Sequence, residues 1–209
     1  RAQLPSVDKV FVYGSYNGSR VAPGGYTARL TYGDQIKEVG IEILPNPNLN
    51  YSAADFKDQQ ELLIKIETAI ENIHESVTQM RNAQAQLKYY SNILKEKDSF
   101  TKLYDQAQSI EEQLKNWEKE LIQPNQKTFQ DVINFNNKLN AELMHLKGYV
   151  DTDDPKVTQG AKDRYRDLNE TWQKHKDELK KIIEDDFRSF EENYRAAKVP
   201  VLNVEIDSL

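Results

Sequence analysis

Residues 52–95 read SAADFKDQQELLIKIETAIENIHESVTQMRNAQAQLKYYSNILK, a run without glycine or proline. Leu63, Ile66, Ile70, Ile73, Val77, Met80, Gln84, Leu87 and Leu94, with Ser91 filling the remaining register position, recur at alternating three- and four-residue steps. That spacing places one apolar stripe along a helix for more than four heptads. Ser52 followed by Asp55 has the spacing of a capping box, so the helix should start there.

Three further stretches carry the same period. Leu103, Ala107, Ile110, Leu114, Trp117 and Leu121 follow the cap candidates Asp98 and Ser99 and stop at Pro124. Phe129, Val132, Asn136, Leu139, Leu143 and Leu146 run up to Gly148. A fourth set opens at Asp154-Pro155, which suits a cap followed by proline at the first helical position, and carries Tyr165, Leu168, Trp172, His175, Leu179 and Ile182. It then changes register to Ile183, Phe187, Phe190 and Tyr194, a stutter that relaxes the supercoil. At ~1.5 Å per residue, the first and fourth helices should span roughly 60 Å and the middle two roughly 36 Å. Short connections favour antiparallel neighbours, so an up-down-up-down bundle follows, with the uncovered half of the long pair at the end where the first helix starts and the fourth finishes.

Upstream of residue 48 the character changes, for Gly14, Gly18, Gly24, Gly25, Gly33 and Gly40 and Pro5, Pro23, Pro45 and Pro47 all lie there. Val10–Tyr13, Tyr26–Tyr32 and Ile36–Leu44 are short, rich in β-branched and aromatic residues, and separated by glycine-containing turns, which predicts three strands. The last two should form a hairpin across Gly33-Asp34, with Tyr26, Ala28, Leu30 and Tyr32 on one face and Val39, Ile41 and Ile43 on the matching one. Three strands cannot bury both faces of a sheet, so the sheet is expected against the base of the bundle. The exit Val199-Pro200-Val201-Leu202-Asn203-Val204-Glu205-Ile206 should run beside it. The fold class is therefore mainly α, an antiparallel bundle of four helices, first and last long, with a small antiparallel sheet at its base. The expected divisions are 1–47, 48–198 and 199–209.

Composition narrows the function. With 28 basic against 34 acidic residues the net charge is −6, and the acidic excess lies beyond residue 50, which disfavours nucleic acid and anionic membrane surfaces as partners. Mean hydropathy is −0.80 and no run of eighteen apolar residues exists, so the sequence contains no spanning helix. Zero cysteines exclude disulfides, thiolate nucleophiles and cysteine metal sites.

Catalytic templates return little. Gly14-Ser15-Tyr16-Asn17-Gly18 has the wrong spacing for a nucleophile elbow, and no phosphate loop or dinucleotide fingerprint occurs. His74-Glu75 is not followed by a second histidine at residue 78, which removes the zincin pattern. Of His74, His145 and His175, His145 with Glu142 has the Glu-x-x-His spacing of di-metal bundles; a seam or boundary histidine is the favoured reading of all three. Asp151, Asp153 and Asp154 could meet Ca²⁺ but lack the alternating ligands and central glycine of an EF-hand, and read as an acidic capping turn. Tyr165, Trp172, Phe187, Phe190 and Tyr194 sit at core spacing. Tyr13, Tyr16, Tyr89 and Tyr90, with Tyr26, are harder to bury together and are the candidates for partner contact. Sequons at Asn17, Asn50 and Asn169 matter only in a eukaryotic secretory context. No catalytic residue, metal or cofactor is assigned.

The segment Val21-Ala22-Pro23-Gly24-Gly25-Tyr26-Thr27-Ala28-Arg29-Leu30, then a glycine-turn hairpin, then Ile43-Leu44-Pro45-Asn46-Pro47, resembles the V-x-P-G-x-Y-x-x-x-L … V-x-x-D-P end of an immunoglobulin-like sandwich. That sandwich occurs near the C-terminus of bacterial exported proteins with a sortilin-like Asp-box (BNR) β-propeller. The resemblance continues in order through the helical segment Ser52 to Ala197 and the exit Val199-Pro200-Val201-Leu202-Asn203. Asn46 departs from the family's Asp. No Asp-box lies in the chain, so the name glycosyl hydrolase given to such proteins would rest on the propeller. The resemblance implies a periplasmic or extracellular location, earlier strands preceding Arg1, and a sheet edge open to homo-association. The expected function is a non-catalytic accessory or scaffold module contacting other domains of its parent or another protein. The alternatives are a freestanding helical-bundle adaptor comparable to spectrin-like repeats, and part of a hydrolase whose site lies in another domain.

Overall fold

The computed structural model describes residues 3–199. It is mainly helical, with one two-stranded antiparallel sheet. Helix α1 spans Ala53–Lys95 and starts as the sequence predicts: Ser52 Oγ accepts the amide of Asp55, and the Asp55 carboxylate takes the Ser52 amide at 2.8 Å. The Ser52 hydroxyl, donating to the same carboxylate at 2.7 Å, and then the Ser52 amide hold the Asp55 carboxyl below the usual carboxylate range. Its apolar stripe is buried from Leu62 to Leu94.

Helix α2, Thr101–Leu121, buries the six predicted residues Leu103, Ala107, Ile110, Leu114, Trp117 and Leu121. It runs antiparallel to α1, as Arg81 meets Glu118 and Ser91 meets Gln108. The third predicted helix is cut in half. Thr128 and Asp131 close a capping box on a single 3₁₀ turn, Phe129–Ile133, and Ile133 is exposed. Asn134, Asn136 and Asn137, which satisfy backbone groups locally and form helix poorly, fill the gap before α3 begins at Leu139–Val150.

The expected alternation of directions is also corrected. Asn140 faces His74, Lys147 faces Glu67 and Val150 faces Gln59, so α3 runs the same way as α2 and the two lie end to end along α1. Together they cover its length, and no half is left bare. The chain then reverses through residues 151–158 into α4, Gln159–Lys181. Asp154 does not cap it: its carboxylate accepts the Lys156 amide at 2.9 Å and its carbonyl takes Gln59 and Thr152. Thr158 caps instead, accepting the Ala161 amide.

The predicted register change is a π turn over Ile182–Phe187, continued by α5, Arg188–Ala196. Ile182 is buried and Ile183 is exposed, and the next inward side chain is Phe187. One extra residue within the turn absorbs the shift without ending the helix. This composite helix runs parallel to α1, with Lys162 on Asp58 near its start and Tyr194 on Tyr90 near its finish. It therefore ends at the opposite end of α1 from the hairpin. Of the expected extended segment 199–209, only Val199, which is buried, lies within the described residues.

The hairpin forms in the predicted register. Strands β1, Gly24–Tyr32, and β2, Gln35–Ile43, pair Tyr26 with Ile41, Ala28 with Val39 and Leu30 with Lys37. Gly33 closes the turn at φ +53°, a conformation that glycine adopts without strain. Its placement is not the expected one. Among the described residues the ribbon packs against no helix, and Leu30, Tyr32, Ile36, Val39 and Ile41 are exposed. The seam assigned to it is occupied by residues 3–20. The strand expected at Val10–Tyr13 does not form: the Val10 amide turns back to the Val7 carbonyl at 3.2 Å, and the backbone on either side, at Pro5, Asp8, Ser15, Asn17 and Ser19, bonds to helix side chains.

Candidate partner-contact site

Residues 3–20 form a strap laid across α1 and α3. Leu4, Val7 and Val12 are buried in the common core, and the Leu4 amide donates to the Tyr16 carbonyl at 2.7 Å, folding the strap on itself. Three side chains of α1, spaced one heptad apart, hold it. Glu67 accepts the Ser19 amide at 2.7 Å, His74 Nδ1 lies 2.7 Å from the Pro5 carbonyl, and Arg81 donates to the Asp8 carbonyl at 2.6 Å. Each takes a main-chain atom. Seven-residue spacing returns a helix nearly to the same azimuth, so the three form a ladder beside the apolar stripe.

The neighbouring helices complete every rung. Lys147 of α3 sits 3.9 Å from Glu67 and donates to the carbonyls of Ser15 and Asn17, at 3.2 and 2.6 Å. Both charged side chains are buried, at 4% and 1% exposure for Lys147 and Glu67. Asn140 of α3 reaches His74 Nε2 at 3.3 Å, and Glu118 of α2 takes Arg81 at 2.7 Å. A carbonyl can only accept, so the Pro5 contact fixes the hydrogen of neutral His74 on Nδ1 and leaves Nε2 to accept from Asn140. Burial pushes the His74 pKa down, against the Pro5 bond that raises it. The seam-histidine reading of His74 holds.

The four tyrosines singled out from sequence do not form one surface. Tyr13 is exposed, while Tyr16 is half-buried with its ring 6.0 Å from that of His74. Tyr89 and Tyr90 lie about four turns further along α1, roughly 24 Å away, and meet each other edge-on at 5.7 Å. Tyr90 also meets Tyr194 at 5.2 Å, and burial, then Tyr90 and Tyr89, raise the Tyr194 pKa. Ala83, Leu87 and Tyr90 of α1 with Phe187, Phe190 and Tyr194 line an open groove of about 290 Å³. Tyr26 belongs to the ribbon's base, its hydroxyl donating to the Ala22 carbonyl at 2.6 Å.

The acidic turn works as a tether. Asp151 accepts the Arg20 amide at 3.3 Å and Asp153 pairs with the Arg20 side chain. Glu142 pairs with Arg164 at 2.8 Å, and His175 lies 3.2 Å from Glu178. Among the described residues, no three His, Cys, Asp or Glu side chains gather as a metal site, and no helix is long and apolar enough to cross a membrane. The ribbon is a further uncovered feature: one face carries Tyr26, Ala28, Leu30, Tyr32, Val39, Ile41 and Ile43 together with Gln35 and Lys37 near the turn, the other Thr27, Arg29, Thr31, Ile36, Glu38 and Glu42. Comparison with protein-family models, curated proteins and solved structures finds no match.

Proposed function

We propose that this chain is a non-catalytic accessory module that presents its β-ribbon to a β-structured partner, either another domain of the same polypeptide or a second protein. The observation that carries this is the ribbon itself. A two-stranded hairpin is marginal alone in water, and this one, among the described residues, leaves an apolar face and both edges uncovered, which favours strand addition with a second sheet layer over that face. The bundle, with its strap, is the rigid mount. The sandwich-end motif around Pro23-Gly24-Gly25-Tyr26 supports placing the module in an exported bacterial protein of the sortilin-like propeller type, with the earlier strands of an immunoglobulin-like sandwich as the partner.

Two measurements test the reading. Leu30→Ser with Ile41→Ser should leave the bundle's stability within about 0.5 kcal/mol, the range of surface changes, while weakening concentration-dependent association in sedimentation. Unchanged association would remove the ribbon as a contact surface. Blotting exported and cytoplasmic fractions of the source cells with an antibody to the bundle should give a band far above 24 kDa in the exported fraction. A cytoplasmic band near 24 kDa would overturn the exported-module reading. It would leave the freestanding adaptor, which the open groove between α1 and α5 favours as a seat for a partner helix.

A further inference from the structure

We propose that His74 is an acid-sensitive latch: protonation of its ring lifts the strap, residues 3–20, from α1 and α3 while the helices stay folded. The ring is 1% exposed, and what shields it on one side is the strap, through Pro5 and Tyr16. On the other side are α1 itself and Asn140 of α3. The neutral ring is matched to both neighbours, donating from Nδ1 to Pro5 and accepting at Nε2 from the Asn140 amide. A second proton at Nε2 faces that amide's hydrogens. Turning the Asn140 amide would offer its oxygen, which is buried and has no hydrogen-bond partner, yet would strand its nitrogen in the same place. Either way an imidazolium remains out of water, which is costly. The helices are closed by their own backbone bonds. The strap has no regular structure, so lifting it is the smallest rearrangement that hydrates the charge.

The titratable groups on the elements around the ring are Asp8, Lys9, Tyr13, Tyr16 and Arg20 of the strap, Glu67, Glu71, Glu75 and Arg81 of α1 within one heptad, and Glu142, His145, Lys147 and Tyr149 of α3, with Glu118 of α2 on Arg81. The one other imidazole among them, His145, is exposed. Carboxyl, ammonium, guanidinium and phenol groups ordinarily change charge outside pH 5 to 8, whereas imidazole changes inside it. Burial of the closed state pushes His74 below its ordinary value. The sign follows from linkage: closure is fully favourable above the open-state pKa of about 6.5 and weakens as pH falls toward the closed-state pKa, by up to about tenfold in the open-to-closed ratio per pH unit.

The test is amide hydrogen exchange on the whole chain at pH 7.5, 6.5, 5.5 and 5.0, read as protection factors. The Leu4 amide, bonded within the strap, reports closure, and the Ile110 amide in α2 reports the bundle. The expected result is a progressive loss of Leu4 protection, up to about fivefold between pH 6.5 and 5.5, with Ile110 unchanged and with no such loss in His74→Gln. Constant Leu4 protection in the wild type, or the same loss in His74→Gln, overturns the latch. If His74→Gln does not fold, the His74 ring resonances of the wild type decide: the strap must open with the ring's own midpoint. Opening near pH 4, where carboxyl groups titrate, overturns it.

Discussion

Replacing Lys147 with alanine should destabilise the protein by about 3–5 kcal/mol, the usual consequence of breaking a buried ion pair from one side. Lys147 serves three oxygens at once: it donates to the carbonyls of Ser15 and Asn17 and lies 3.9 Å from the Glu67 carboxylate. Without it Glu67 stays buried after losing the cation 3.9 Å away, and two strap carbonyls lose their donor. Both side chains are almost fully enclosed, so solvent screening does not soften the effect. The double change Glu67→Met with Lys147→Met removes both charges and keeps most of the volume, and should be less destabilised than Lys147→Ala. Urea unfolding of the two variants checks this. A loss under about 1 kcal/mol for Lys147→Ala would show that the pair relaxes into water and that the strap is not fastened there.

Trp117→Ala is expected to be comparably severe, about 3–5 kcal/mol from lost transfer energy and the cavity left behind. Trp117 is 1% exposed and sits near the end of α2, where its Nε1 donates to the His175 carbonyl of α4 at 2.8 Å. It joins the middle rod to the last helix just before the chain leaves α2 for the long connection to α3. Trp117→Phe keeps much of the packing and loses the hydrogen bond, so it should cost only about 1 kcal/mol beyond any repacking. Thermal melting separates the two variants, since each kcal/mol moves the midpoint of a domain of this size by roughly 2–4 °C. Equal losses for both would mean that the indole's hydrogen bond, and not its volume, holds α2 to α4.

The helices were legible where one periodicity ran without competition. In α1 and α2 the apolar steps, the cap at Ser52 and the absence of glycine and proline agree, and the buried residues fall where that pattern puts them. Around Phe129 the pattern was equally apolar, but the Asp131 carboxylate takes the Lys127 and Thr128 amides, and Asn134, Asn136 and Asn137 are poor helix formers. The period alone does not reveal that competition. Directions were misread for a related reason. Short loops imply reversal, yet the connection from Ile122 to Lys138 is long enough to step sideways and carry on, so α3 continues the path of α2. The hairpin's register was readable from period two and Gly33. Its isolation was not, because nothing in the local sequence says that the strap takes the seam first. The polar ladder did leave a trace, in Glu67, His74 and Arg81 each standing one residue beyond an apolar stripe position. With polar residues common on any helix surface, that trace had no meaning until the strap was seen beneath it.

Because every rung of that ladder grips a peptide group, the strap is held by its shape and not by its spelling. Substitutions along residues 3–20 should be tolerated wherever they spare the inward Leu4, Val7 and Val12, Gly14 against Met144, Tyr16 beside His74 and Arg20 on the acidic turn, while the matching residues on the helices have far less freedom. Distant relatives of this chain would then be found less by aligning their strap segments than by searching long helices for Glu, His and Arg set seven apart, with a lysine and an asparagine opposite them on a shorter helix downstream.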